Sequence, residues 1–428
     1  MAARARTITI SLITHVLTFG IMGMTKAVFA QSTDINQPTK QTWLEQDHIN
    51  GNWGGPRQQL ENAGIAINSE YVAEYSAVLS GGVEEKPSFR NLLTFDIALD
   101  MNAMANIQGG TFFIQYLHVN AERGGSGDAG DLQGYSNIEN DRSLDVIYEL
   151  WYEQLLLDDR LRIKVGKVDA NAEFFYVDAA GDFANSSAGF SPSVQAFPSY
   201  PDPAMSVNIF ATLLNEEDWS LTLGYGLYDG APGVDGIPTG SRGPATFFSD
   251  NKSDDYFHAI EASLAWNQLG SLPAGRFAIG YWQHTGTFDR FDGNTDDGTD
   301  GFTLSFEQRL NTLDEPDSER GVYVFTQYGY ADEHVAEIAQ HIAAGIVGRG
   351  LINSRPDDAM GLYVSYADLS DDSSAGFDKD EWALDLYYKF QITPAIYIQP
   401  ELQYIINPSG DPSIDDALVG GLRAGITF

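Results

Sequence analysis

Ala417-Leu-Val-Gly-Gly-Leu-Arg-Ala-Gly-Ile-Thr-Phe428 alternates apolar with small or polar side chains and stops on an aromatic residue. A strand of period two has two faces. Leu418, Leu422, Ala424, Ile426 and Phe428 make the apolar one, with Gly420 as its gap, while Arg423 and Thr427 fall on the other. That suits the closing strand of an outer-membrane β-barrel, with hydrocarbon outside and water within. A soluble edge strand shares the period, so the decision rests on the rest of the chain.

The alternation recurs upstream. In Ile65–Leu79, Ile67, Tyr71, Tyr75 and Leu79 point one way and Asn68, Glu70, Glu74 and Ser76 the other. In Leu92–Asn102, Leu93, Phe95, Ile97 and Leu99 oppose Thr94, Asp96 and Asp100. Carboxylates alternating with large apolar groups match a lipid face and a wet lumen. Further strands are expected near 111–120, 144–156, 161–168, 204–214, 219–228, 256–266, 276–287, 301–311, 320–330, 336–346, 358–367, 381–391, 395–406 and 417–428. The long polar connections 121–142, 169–203 and 229–255 all follow odd-numbered strands, whereas short ones such as Asp158-Asp159 and Thr393-Pro394 follow even-numbered strands. Long outer loops facing short periplasmic turns are a property of such barrels. The expected fold is all-β: a closed antiparallel transmembrane barrel of about 16 strands.

Composition agrees. After residue 30 no apolar run is long enough for a transmembrane helix, yet 12% of the chain is aromatic and 43 residues are glycine. The formal charge of −36 repels nucleic acid, which is bound through clustered Lys and Arg. No cysteine is present, so neither disulfides nor thiol chemistry contribute. Residues 1–30 read as a signal peptide: Arg4 and Arg6, an apolar stretch from Ile8 to Met24, and Val28-Phe-Ala30 before the cleavage point. Residues 31–64 read as a periplasmic segment, with two helical turns over Pro56–Ala63 and Gly64 as the stop, and residues 65–428 as the barrel.

Several motifs in order resemble one family. They are Gly51-Asn-Trp-Gly-Gly-Pro-Arg57 with Leu60 and Gly64-Ile65, Arg162-Ile-Lys-Val-Gly-Lys-Val-Asp169 with Phe174-Phe175, Pro198-Ser-Tyr-Pro201, and Tyr228-Asp-Gly-Ala-Pro232. Later come Gly275–Gly286, Gly348–Asp358 and Gln399–Pro408. Together they resemble the carbohydrate-selective porins of the OprB type. The resemblance implies a sixteen-stranded barrel and passive, sugar-preferring diffusion. Two features depart from that pattern: the lumen-facing side is acidic and the loops are rich in Asp. The alternatives are a general cation-leaning porin and an outer-membrane hydrolase.

A sugar presents hydroxyls around its edge and C–H groups on its faces, so a selective pore needs hydrogen-bonding charges and aromatic platforms. Parity turns Glu70, Glu74, Asp96, Glu149, Trp151, Glu153, Arg162, Lys164, Glu261, Glu307, Arg309, Asp385, Lys389, Gln399, Glu401, Gln403 and Arg423 toward the lumen. Trp151 between Glu149 and Glu153 is the sharpest sugar platform. Phe174, Phe175, Tyr176, Phe183 and Phe190 mark loop 169–203 as a segment that folds into the barrel. Trp219, Tyr225, Tyr256, Trp266, Trp382 and Tyr404 are expected at the membrane interfaces.

Catalytic and metal patterns are poor. Ser249-Asp-Asn251 and Lys252 echo a β-lactamase motif without its Lys-Thr-Gly partner. Asp292–Asp300 fails the EF-hand template and reads as a solvated outer loop, while His334 and His341 read as isolated surface residues. No cofactor or metal is expected. The expected partners are small carbohydrates, outer-membrane lipid with lipopolysaccharide, and the barrel-assembly machinery engaging the strand that ends at Phe428. Oligomeric state is left open between monomer and homotrimer.

Overall fold

The computed structural model describes residues 42–120, 125–140, 142–230, 244–247, 255–313 and 319–428. The signal-peptide reading and the Ser249-Asp-Asn251 tripeptide lie outside them.

A short helix, α1 (Pro56–Asn62), precedes the first strand. Pro56 needs no amide partner at the helix start, and Gly64 takes the left-handed turn (φ +83°) that follows its end. Arg57 ties the helix to the barrel, donating to the Ile67 carbonyl at 3.0 Å and to Asn50 at 3.2 Å. The helix therefore rests against the barrel end instead of trailing from it.

Sixteen strands follow. They are β1 (Ile65–Gly82), β2 (Pro87–Asp100), β3 (Gly110–Asn120), β4 (Leu144–Leu156), β5 (Leu161–Val168), β6 (Ala204–Asn215), β7 (Trp219–Asp229) and β8 (Tyr256–Trp266). The second half comprises β9 (Gly275–Asp289), β10 (Thr295–Arg309), β11 (Gly321–Ala331), β12 (Ile338–Arg349), β13 (Ala359–Leu369), β14 (Glu381–Thr393), β15 (Ile396–Ile406) and β16 (Asp415–Thr427). Every neighbour is antiparallel, and β16 pairs with β1 to close the barrel. Closure satisfies each strand's backbone groups where no water can.

Side chains sort as the alternation expects. Tyr75, Phe95, Ile279, Leu386 and Leu422 are exposed on the outside, while their neighbours Glu74, Asp96, Ala278, Asp385 and Arg423 are buried within. Across the seam, Glu74 sits level with Arg423 on one side and Arg90 on the other. Its carboxylate bridges both, at 2.5 Å and 3.1 Å. Removing one member of such a buried set leaves an unpaired charge, at a cost of about 3–5 kcal/mol.

Four sequence readings need correction. β2 stops at Asp100, whose side chain caps a five-residue helix, α2 (Met101–Ala105), so Met101 and Asn102 are not strand. Trp266 is buried, not interfacial, because its indole turns under the β8–β9 connection and donates to the Pro273 carbonyl at 3.0 Å. His341 is fully buried on the inner face of β12. Asp292 lies in a turn, but Thr295 to Asp300 belong to β10, and Arg290 pairs with Asp296 at 2.8 Å.

Candidate functional site

Among the described residues, two connections fold into the lumen. One, loop A (121–143), contains a single helical turn, α3 (Ser126–Ala129); the other, loop B (169–203), contains α4 (Ser186–Gly189). Their backbones carry amides into an enclosed space, and those amides need acceptors. The acidic wall supplies them. Glu149 accepts from the Asp169 amide at 3.0 Å, Glu261 from Phe175 at 2.8 Å and Glu307 from Ala179 at 2.7 Å. Farther round, Glu401 accepts from Ala184 and Asp385 from Asn185, both at 3.2 Å. Glu381 takes the Leu132 and Gln133 amides of loop A at 2.9 and 3.0 Å.

Wall cations and amides hold the loops' acceptors in turn. Lys389 reaches Asp182 at 3.0 Å and Gln399 donates to the Asp182 carbonyl at 2.8 Å. Gln403 donates to the Tyr135 carbonyl at 2.7 Å, and Arg423 to Asn137 at 2.8 Å. Glu173 of loop B is clasped by Lys164 at 2.5 Å and Arg162 at 2.7 Å. Burial alone would raise the Glu173 carboxyl, but the two cations bring it down to about 2. The loops also bind one another: the Asn137 amide donates to the Ala184 carbonyl and the Ser186 amide to the Gly134 carbonyl, both at 2.7 Å.

Wall glycines make room for loop B. A Cβ at Gly280 would stand 2.4 Å from the Phe175 ring, and one at Gly329 would stand 2.0 Å from the Ser191 hydroxyl oxygen. Against this wall Phe174, Phe175, Phe210, Tyr228, Phe257 and Trp282 form the largest apolar cluster, inside the barrel.

Trp151 belongs to that cluster. It points inward, as parity has it, but is only 4% exposed. Phe113 stacks on its ring at 4.8 Å and the Lys164 ammonium caps it at 3.8 Å. A bulge at Gln115/Tyr116 lets Tyr148 and Glu149 both be buried beside it, which no two-residue alternation describes. Trp151 is thus covered and not an open platform for a sugar. Glu153 pairs with Arg162 at 3.0 Å, and Arg309 donates to the Asn311 and Arg320 carbonyls. Glu70 and Asp96 sit on the β1–β2 wall with no ion pair among the described residues.

At the barrel end that carries the short turns, a cavity of about 500 Å³ opens beneath loop B. Its lining repeats one device, a guanidinium laid on an aromatic ring. Arg162 lies over Phe210 at 3.8 Å, Arg276 over Tyr176 at 4.1 Å and Arg349 over Tyr323 at 4.9 Å. Stacking and hydrogen bonds together fix the forks: Arg162 donates to Glu153 and Glu173, and Arg276 to Ser263, the Tyr176 carbonyl and Glu261. No group of three or more His, Asp or Glu side chains among the described residues is arranged to hold a metal.

The sequence profile of the carbohydrate-selective porins, OprB family, matches residues 85–428. The chain belongs to the OprB family of carbohydrate-selective porins. Porin B of Pseudomonas aeruginosa is 23% identical over 427 residues, covering 88% of this chain and 90% of that protein. The putative porin QuiX of Acinetobacter baylyi is 23% identical over 423 residues, covering 88% of this chain and 92% of its own length. The high-pH structure of Pseudomonas putida OprB superposes with a TM-score of 0.80 at 19% identity, covering 91% of this chain and all of that one. Family and fold describe a channel: an OprB-type porin of the Gram-negative outer membrane that passes carbohydrates by passive diffusion.

Arg90, Arg276, Arg349 and the inward course of loop A escaped the sequence reading, which took 121–142 as a long outer connection. Arg90 and Arg349 lie within two or three residues of the strand ends assigned from the pattern, where a cation reads as a turn residue. Extending each strand outward with its parity kept would have turned them inward.

Proposed function

We propose that sugars cross this porin past a constriction built jointly by loops A and B and are engaged, on the periplasmic side, in the vestibule of stacked guanidiniums. The observation that carries this reading is the pairing of Arg162 with Phe210 and of Arg276 with Tyr176 around one cavity of about 500 Å³. That volume suits a small ligand, ring faces suit pyranose C–H groups, and the charged groups of the lining suit vicinal hydroxyls. The wall carboxylates act chiefly as acceptors for loop amides, so the acidic lumen serves the constriction's shape. Diffusion through it requires only weak, repeated contacts.

In planar bilayers, glucose should block the single-channel current in a dose-dependent way. Tyr176→Ala removes one ring face and should raise the half-blocking concentration about three- to tenfold, the scale of a stacking contact of ~1 kcal/mol. Unchanged block in that variant would remove the vestibule from the pathway. A general cation-leaning pore draws support from Glu70 and Asp96, which have no ion pair among the described residues, and from the net charge of −36. Such a pore would show cation-selective current with no response to sugar.

A further inference from the structure

Four guanidiniums line the vestibule: Arg309 donates to the Asn311 and Arg320 carbonyls, and Arg162 and Arg276 are ion-paired. Arg162 meets Glu153 at 3.0 Å and Glu173 at 2.7 Å, while Arg276 meets Glu261 at 2.5 Å and Glu307 at 3.6 Å. Arg349, the last residue of β12, has no such partner. No carboxylate among the described residues lies within 4.0 Å of it, although Asp182 and Glu319 are the acids that influence it. Asp182 is already bound to Lys389 at 3.0 Å. What holds Arg349 is the face of Tyr323 at 4.9 Å, a ring that Arg309 approaches at 5.7 Å from its own strand.

A half-buried guanidinium stacked over a ring and lining a cavity, with no ion pair within 4.0 Å among the described residues, is a preformed donor to a planar anion. We propose that Arg349 is an anion subsite of the vestibule and that this porin therefore takes sugars bearing one carboxylate, of the uronate or aldonate class, in preference to neutral sugars of the same size. The fork of Arg349 would donate two hydrogen bonds to the carboxylate while the sugar ring occupies the adjoining cavity. Asp159 and Asp178 line the same cavity and have no ion pair among the described residues. Their charge disfavours a second negative group on the substrate, which restricts the class to monoanions. The proposal rests on the vestibule being the space in which sugar is engaged.

The test compares current block by glucose, glucuronate and acetate in the full-length porin reconstituted in planar bilayers at low salt. Wild type should be half-blocked by about tenfold less glucuronate than glucose, the scale of one charge-assisted bidentate contact. Raising the salt should narrow the ratio. In Arg349→Gln the ratio should fall to about one, and in Arg349→Lys it should stay above one, which separates the charge from the fold. Equal block by glucose and glucuronate in wild type would overturn the anion subsite and leave the vestibule reading standing. So would a ratio that survives Arg349→Gln, or acetate blocking as well as glucuronate. Absence of block by either sugar would overturn both.

Discussion

Glu173 shows how one side chain sets the position of a loop. It is the most tightly paired acid of loop B, and its cations Lys164 and Arg162 also cap Trp151 and Phe210. Its carboxyl falls from 4.5 to about 2 on folding. A lowered acid contributes stability that is complete above the unfolded value and is lost as pH drops through the folded one. The contribution at neutral pH is on the order of 3 kcal/mol. Glu173→Gln should therefore be less stable than wild type at pH 7, with the gap closing between about pH 4.5 and pH 2. Unfolding followed in detergent across that range measures it. A gap independent of pH would show that the pair does not hold the loop. Asp131 of loop A behaves oppositely: burial first, then Glu381 and Glu139, push its carboxyl well above the usual range.

At the scale of elements, strands were legible in the sequence and inward loops only partly. All sixteen strands announced themselves because lipid outside and water inside impose opposite chemistry on alternate residues, as Leu386 beside Asp385 shows. Loop B was legible through Phe174, Phe175 and Phe183, which would not rest in solvent. Loop A was not, because Gly, Asp and Ser predominate between residues 124 and 137 and its anchors are backbone amides, which have no signature in the side-chain sequence. The lumen-facing acids were identified, but their role as acceptors for those amides depends on which loop comes to them. Trp151 was misjudged because parity gives its inward direction but not its cover, which Phe113 and Lys164 supply. Loop A holds loop B through Asn137 and Gly134, so it should narrow the pore. Replacing residues 126–140 with a short Gly/Ser linker should raise single-channel conductance severalfold while the barrel stays folded. Unaltered conductance would assign the constriction to loop B alone.

For the whole molecule, the fold separates two tasks. The cylinder, sealed where Glu74 joins Arg90 to Arg423, provides the membrane-spanning wall. The two loops, pinned from within, occupy the lumen and form the proposed filter. Six wall carboxylates, Glu149, Glu261, Glu307, Glu381, Asp385 and Glu401, receive loop amides, and the arginine- and aromatic-lined vestibule lies at the short-turn end. Sugar permeation through this filter is the central claim, and liposome swelling measures it most directly. Purified protein in liposomes should give fast swelling with monosaccharides that slows steeply for longer oligosaccharides. Swelling no faster than in protein-free liposomes, for every sugar tried, would contradict the account.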